Sequence, residues 1–143
     1  MLTDTISEPE SVSADEVFAE YEAALLTVIE AEGVDAVADA TGLTPERVTD
    51  IESGDCDPVT VSEAADILAL TDDWPDAETV RLELQDHVML QMSSAIVDVD
   101  SLADGIDAAL DPKEVQQKVE GRQPMTLREY AQIHHYLAVE NPW

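Results

Sequence analysis

The feature that most constrains the fold of this chain is an internal repeat. The sequence of residues 43–70 is similar to that of residues 110–137, and the two stretches align with a single-residue deletion. The matched pairs include Leu43 and Leu110, Pro45 and Pro112, Val48 and Val115, Gly54 and Gly121, Pro58 and Pro124, Thr60 and Thr126, and Glu63 and Glu129. A supersecondary unit that occurs twice predicts two similar modules packed against each other.

Apolar spacing and capping residues predict that every element is a helix. Val17, Tyr21 and Leu25 recur at helical spacing, and Thr60 with Glu63 forms a capping box before a later helix. No segment has the alternating pattern of a strand beside a hairpin turn. The predicted helices cover residues 14–32, 34–41, 45–53, 61–70, 76–96, 99–108, 112–120 and 127–138. The predicted fold class is all-α, a tandem pseudo-repeat of two four-helix units.

The caps and the composition of the joining segments also predict the domain organisation. We expect a disordered acidic tail at residues 1–12 and a C-terminal tail at residues 139–143. Between them we expect helical unit 1 at residues 13–71 and helical unit 2 at residues 75–138.

The charge of the chain is far outside the usual globular range. Its 33 acidic and 6 basic residues give a net charge of −27, yet 45% of the residues are hydrophobic and regularly patterned. An acidic surface with few lysines and a core of small residues is typical of proteins from organisms that accumulate salt. At about 1 M salt the Debye length is only ~3 Å, so repulsion between surface carboxylates is screened. We therefore expect that this protein requires high salt.

The sequence has neither a basic N-terminal stretch followed by an apolar run nor an apolar run long enough for a membrane span. The prediction is a soluble, cytoplasmic protein that does not bind membranes.

A helix-turn-helix motif is predicted within unit 1. It needs a small residue on the first helix, which Ala38 supplies, and a residue tolerant of positive φ four positions later, which is Gly42. Apolar residues follow the turn and form the buried face of the second helix: Leu43, Val48 and Ile51. Residues 34–70, and more loosely 99–138, resemble Cro/repressor-type domains, a resemblance that implies DNA binding.

A second resemblance covers the whole chain. The pattern KEVQQ…EGR.PMTL.EY between Lys113 and Tyr130 is similar to that of an uncharacterised haloarchaeal protein family. This resemblance implies an archaeal, halophilic source and does not imply an activity.

The two units differ in the charge of their predicted recognition helices. Unit 1 turns Glu46 and Asp50 outward, and these carboxylates would repel phosphates. Four of the six basic residues lie between Lys113 and Arg128 of unit 2. Unit 2 therefore holds the candidate DNA-contacting residues, which are Lys113, Gln116, Gln117, Lys118, Arg122, Gln123 and Arg128. Unit 2 also has a longer turn than unit 1 between Ala103 and Leu110.

The rival hypothesis is a module that keeps this fold without binding nucleic acid. A Met-rich stretch on the long helix, with Met89, Met92 and Ile96, is the candidate interface for another protein or for a homodimer. The adjacent His134 and His135 have no partner at metal-ligand spacing, so no metal and no cofactor is expected. Motifs of phosphate loops, nucleophile elbows and zinc proteases are missing, and an enzyme is not expected.

Overall fold

The computed structural model describes residues 8–56, 58–106 and 110–141. Within these ranges the chain forms eight α-helices and no β-strand, which confirms the predicted all-α class. The helices are α1 (Ala14–Glu32), α2 (Val34–Thr41), α3 (Pro45–Glu52), α4 (Val61–Leu68), α5 (Ala77–Ala95), α6 (Val99–Gly105), α7 (Pro112–Val119) and α8 (Leu127–Glu140).

Polar side chains determine where most of these helices begin. The Ser13 hydroxyl accepts a hydrogen bond from the Glu16 N–H at 3.1 Å, and the Asp76 carboxylate accepts one from the Thr79 N–H at 2.8 Å. Helices α4 and α8 each begin with a complete capping box. Because a cap is formed by residues only three positions apart, the predicted helix starts agree with the observed ones to within one residue.

The predicted helix ends are less accurate than the starts. Five helices, α3 to α7, end one to three residues earlier than predicted. Helix α8 continues to Glu140, past the predicted end at 138, and the adjoining Asn141 amide donates to Gln91 Oε1 on α5 at 2.5 Å. Residues 107 and 108 of the predicted sixth helix lie outside the described ranges.

The N-terminal tail at residues 1–12 is predicted to be disordered, which stays a prediction, and its described part, residues 8–12, contacts the rest of the chain. Pro9–Ser11 form a single 3₁₀ turn that contacts α8, and Val12 packs against the hydrophobic core. Burial of the apolar Val12 side chain stabilises the contact between this segment and the rest of the protein. Residues 1–7 lie outside the described part of the chain, as do residues 142 and 143 of the predicted C-terminal tail.

Both halves of the chain contribute to a single hydrophobic core. Each long helix packs against a helix of the other half: α1 packs against α8, and α5 packs against α4. Helix α1 also contacts α4, and α5 also contacts α8. The regions predicted as unit 1 and unit 2 therefore share their buried surface.

Two backbone hydrogen bonds join the halves near the middle of the molecule. The Val61 N–H donates to the Met125 carbonyl at 2.8 Å, and the Leu127 N–H donates to the Val59 carbonyl at 2.7 Å. Between them, Thr60 and Thr126 form an isolated antiparallel bridge. These residues are matched in the sequence alignment, so equivalent backbone groups face each other across this contact. That the two halves are one repeated structure stays a prediction.

Candidate nucleic-acid interface

Helix α7 carries the centre of the predicted DNA-contacting surface. The Asp111 carboxylate caps it by accepting from the Glu114 N–H at 2.8 Å, and Pro112 occupies its first turn. Val115 and Val119 are buried, as their helical spacing predicts. This rotation leaves Lys113 and Gln116 exposed on the opposite side of the helix.

The carboxylate of Glu120, at the C-terminal end of α7, bonds to two of the candidate residues. The Gln116 amide donates to Glu120 Oε1 at 3.5 Å, and the Arg122 guanidinium forms an ion pair with the same carboxylate. The hydrogen bond from Arg122 is the main cause that lowers the pKa of Glu120. All three side chains are exposed, and exposed pairs of this kind contribute little stability, so Gln116 and Arg122 can exchange partners.

The segment after α7 is folded back onto the helix. The backbone N–H groups of Arg122 and Gln123 both donate to the Gln117 carbonyl, at 2.8 and 3.2 Å. This arrangement brings the exposed side chains of Arg122 and Gln123 beside the half-buried Gln117. Three of the predicted contact residues are therefore grouped at the C-terminal end of α7.

Two of the predicted contact residues are engaged inside the protein. The Lys118 ammonium donates to both carboxylate oxygens of Glu129 at 2.8 Å, and both side chains are only 14% exposed. The Arg128 guanidinium lies over the Phe18 ring, 4.3 Å from its centre, and pairs with Asp15 at 3.2 Å. Lys118 and Arg128 thus bond neighbouring helices, although the Arg128 side chain is still 39% exposed, and the remaining candidates are Lys113, Gln116, Gln117, Arg122 and Gln123.

The corresponding region of the first half has the opposite character. Glu46 and Asp50 are exposed on α3, whereas Val48 and Ile51 are buried, as predicted. Arg47 pairs with Glu63 at 2.8 Å and also donates to the Pro58 carbonyl at 3.2 Å. Helix α3 therefore presents carboxylates to solvent, and its single arginine is bonded to α4 and the preceding loop.

The turn between α2 and α3 has the geometry that the sequence predicts. Gly42 has a φ of +79°, which side chains with a Cβ rarely adopt, and Ala38 is buried at the crossing of the helices. Leu43 packs against the core from a half-buried position. The corresponding turn of the second half includes residues 107–109, which lie outside the described ranges.

The predicted partner interface on α5 is only partly exposed. Ile96 is 92% exposed and Met89 is 48% exposed. Met92, in contrast, packs against the core, because it lies on the side of α5 that faces the body of the protein. The more exposed apolar neighbours are Leu82 and Leu90, which the sequence prediction did not include.

His134 and Cys56 are buried and hydrogen-bonded within the protein. His134 is buried and forms a hydrogen bond with the Tyr21 hydroxyl, and the Cys56 thiol is buried and donates to the Ile51 carbonyl at 3.6 Å. Across residues 8–56, 58–106 and 110–141, no cluster of three or more His, Cys, Asp or Glu side chains could hold a metal ion. In the same ranges, no helix combines the length and the apolar character needed to cross a bilayer.

One group of polar residues could not be found from the sequence. Arg81 and Gln85 of α5 lie beside Arg122 and Gln123 around a common cleft, although some 40 positions separate the two pairs in the chain. No local pattern signals this grouping, since it depends on how α5 packs against α7.

The fold and the surface together define an all-helical, strongly acidic protein whose few basic residues are concentrated near the end of α7. The chain belongs to the family described as Family of unknown function (DUF5791), whose model matches residues 17–140. No curated protein matches the chain, and no solved structure matches it either.

Proposed function

We propose that this protein is a non-enzymatic DNA-binding or transcription-associated protein with a helix-turn-helix-like core. The observation that carries the proposal is the exposed outer face of α7, where the side chains of Lys113 and Gln116 reach solvent. Lysine binds phosphates, and glutamine can donate to and accept from the edge of adenine. The nearby Arg122 and Gln123 extend this surface beyond the helix.

The charge distribution supports α7 rather than α3 as the contact helix. Residues 110–138 hold four bases and four acids, whereas residues 1–109 hold two bases and 28 acids. In a chain of net charge −27, this neutral region is where a polyanion meets the least repulsion.

The salt requirement and the source belong to the same proposal. We infer that the protein is halophilic, archaeal and cytoplasmic. The inference rests on its acidic composition and on the segment of residues 113–130, which resembles a haloarchaeal family. At molar salt the release of counterions from DNA contributes little free energy. Affinity would then depend on hydrogen bonds to base edges, for which Gln116 and Gln117 are best positioned.

The experiment that tests DNA binding is a selection from random duplexes with the full chain in molar potassium chloride. The expected result is an enriched sequence whose binding weakens when Gln116 and Gln117 are replaced by Ala, by about 1–3 kcal/mol per bidentate contact. Thr49→Ala with Asp50→Ala is the matched control, because these exposed positions of α3 align with the two glutamines. Failure to enrich any sequence, or an equal loss in the control, would refute the proposal.

A second candidate function is binding of another protein, or of a second copy of this chain, through α5. The observation that favours it is a row of exposed apolar residues: Leu82 and Met89 are seven positions apart and therefore on one side of α5, and the exposed Ile96 follows directly after the end of the helix. Sedimentation equilibrium at high salt distinguishes self-association from a monomer. Replacement of Met89 by Glu should abolish any dimer that uses this row.

A further inference from the structure

A cleft lies between α5 and the segment that follows α7. Its volume is about 470 Å³, which is within the size range of sites for small organic molecules. The first turn of α4, from Thr60 to Ser62, forms one end of the cleft. Sequence analysis did not predict this cleft, because its walls come from distant parts of the chain.

The base of the cleft is apolar. Leu84, Val88, Val119 and Met125 line it, and all four are buried from solvent. The Tyr130 hydroxyl donates to the Leu84 carbonyl at 2.7 Å, so Tyr130 uses its polar group in the core and adds only its ring to the lining. An occupant that covers this base therefore has an apolar body of its own.

The rim of the cleft carries half of the basic residues of this acidic chain. Arg81, Lys118 and Arg122 line it, and they are three of the six basic residues in the sequence; Glu78 is the acidic residue that lines it with them. Lys118 is fixed by its two bonds to Glu129. Lys118 therefore contributes its positive charge but does not exchange partners.

The two arginines are held by partners at the protein surface. Arg81 pairs with Asp66 at 3.0 Å, where the side chains are 40% and 39% exposed, and also donates to the Ser62 hydroxyl at 3.5 Å. Arg122 pairs with the exposed Glu120. Exposed ion pairs have little net stability, whereas a guanidinium binds a carboxylate strongly when water is excluded on one side. A ligand carboxylate over the apolar base can therefore replace these surface partners.

Two amide side chains complete the polar rim. Gln123 lies in the segment after α7, and Gln85 of α5 lies against Gly121, where an added Cβ would be 3.5 Å from Gln85 Oε1. An amide can donate to a carboxylate oxygen that a guanidinium leaves unpaired.

We propose that this cleft binds a small organic carboxylate with an apolar body, such as an aromatic or branched aliphatic acid. The apolar body covers the base, and the carboxylate is bound by Arg122 or Arg81 with support from Gln85 or Gln123. A bare inorganic anion would leave the apolar base in contact with water and is disfavoured. The site shares Arg122 and Gln123 with the proposed DNA surface, but its base and Arg81 lie outside that surface, so binding of the acid can be measured without DNA.

The first test uses 4-phenylbutyrate and its neutral analogue 4-phenylbutyramide as probes. Calorimetric titration of the full chain is performed at a potassium chloride concentration where circular dichroism shows complete helix. We expect saturable binding of the acid and at least about tenfold weaker binding of the amide, since the charged hydrogen bonds are lost. Equal binding of acid and amide, or no binding of the acid at about 10 mM, would overturn the proposal.

The second test locates the bound acid. Leu82→Glu introduces a carboxylate into the lining and should weaken binding of the acid. Leu90→Glu is its control, because Leu90 is on the same helix and exposed but lies outside the cleft. Arg122→Gln should weaken the acid about tenfold, whereas Arg47→Gln, whose arginine pairs with Glu63 away from the cleft, should not. Equal effects of the two glutamate variants, or of the two glutamine variants, would place the acid elsewhere and overturn the proposal.

Discussion

His134 is a polar residue that is buried among the apolar side chains of the core. It is 4% exposed and lies between Tyr21, whose ring is parallel to its own at 6.1 Å, and His87, whose ring meets it edge-on at 5.1 Å. The Tyr21 hydroxyl forms a hydrogen bond with His134 Nδ1. Burial, with the nearby Tyr130 as a second cause, raises the pKa of Tyr21 well above its ordinary value, so this phenol stays neutral.

The first prediction follows from this buried hydrogen bond. Tyr21→Phe keeps the ring but removes the hydroxyl, and with it the hydrogen bond to His134 Nδ1. We expect the free energy of unfolding to fall by about 1–3 kcal/mol, measured by urea denaturation at constant salt. Tyr136→Phe is the control, because Tyr136 is half-exposed and its ring packs over Gly105. Equal losses in the two variants would contradict a specific role for the Tyr21 hydroxyl.

At the scale of elements, the glutamate of each capping box also bonds to the helix before it. Glu63 Oε1 accepts from the Thr60 N–H at 3.0 Å and from Arg47 of α3 at 2.8 Å. Glu129 likewise accepts from the Thr126 N–H and from Lys118 of α7. One carboxylate therefore both begins a helix and attaches it to its neighbour, an arrangement found in each half of the chain.

The second prediction concerns acid sensitivity at Glu63. Partial burial acts to raise the pKa of Glu63, but hydrogen bonds from Thr60 and Arg47 outweigh it, and the pKa falls below its ordinary value of 4.5. A carboxyl group with a lowered pKa stabilises the fold above pH 4.5 and loses this contribution as the pH falls through the lowered value.

Glu63→Gln should therefore destabilise the protein near pH 7, and its effect should become smaller as the pH falls through the lowered pKa of Glu63 and the wild-type carboxyl is protonated. Thermal melts over a series of pH values from 7 downward, at constant salt, measure the change. Glu46→Gln, at an exposed position in the first turn of α3, is the control. A loss that is the same at every pH would show that the charge of Glu63 is unimportant.

The elements show which parts of the structure were predictable from the sequence. Helix starts and buried faces were, because a cap or an apolar stripe depends on residues three or four positions apart, as at Thr60 and Glu63 or Val115 and Val119. The pairing of α1 with α8 was not, since periodicity identifies an apolar face but not the helix that covers it.

The same limit explains the revision of the candidate surface. The exposure of Lys113 and Gln116 follows from the rotation of a single helix, and it was predicted. The engagement of Lys118 by Glu129 and of Arg128 by Asp15 depends on contacts across 11 and 113 positions, which no local pattern reveals. Long-range packing thus reduced the set of accessible basic residues.

At the scale of the whole molecule, the crossing of the two long helices makes each half depend on the other. Helix α8 packs on α1, and α5 packs on α4, so each half covers part of the apolar surface of the other. Tyr21 of α1 and His134 of α8 meet inside this shared interface.

The third prediction is that residues 75–141 do not fold as an isolated fragment. Without α1 and α4, the buried faces of α8 and α5 are exposed to water, which removes a large share of the hydrophobic stabilisation. Circular dichroism of the fragment at high salt should show reduced helix and no cooperative melt. Addition of the complementary fragment, residues 8–74, should restore both. A cooperative melt of residues 75–141 alone would contradict this prediction.

The fourth prediction concerns the net charge of −27. Carboxylates such as Glu20, Glu30 and Glu32 are exposed along α1 and have no basic residue on the same helix. Their mutual repulsion extends about 10 Å in 0.1 M salt but only ~3 Å in 1 M salt. We expect the melting temperature to rise steeply with potassium chloride, and dialysis into dilute buffer to loosen or unfold the chain.

Replacement of Glu20, Glu30 and Glu32 by Gln should lower the salt concentration needed for folding, whereas sorbitol, which screens no charge, should not substitute for the salt. A melting temperature that is the same in dilute and molar potassium chloride would show that the acidic surface needs no screening.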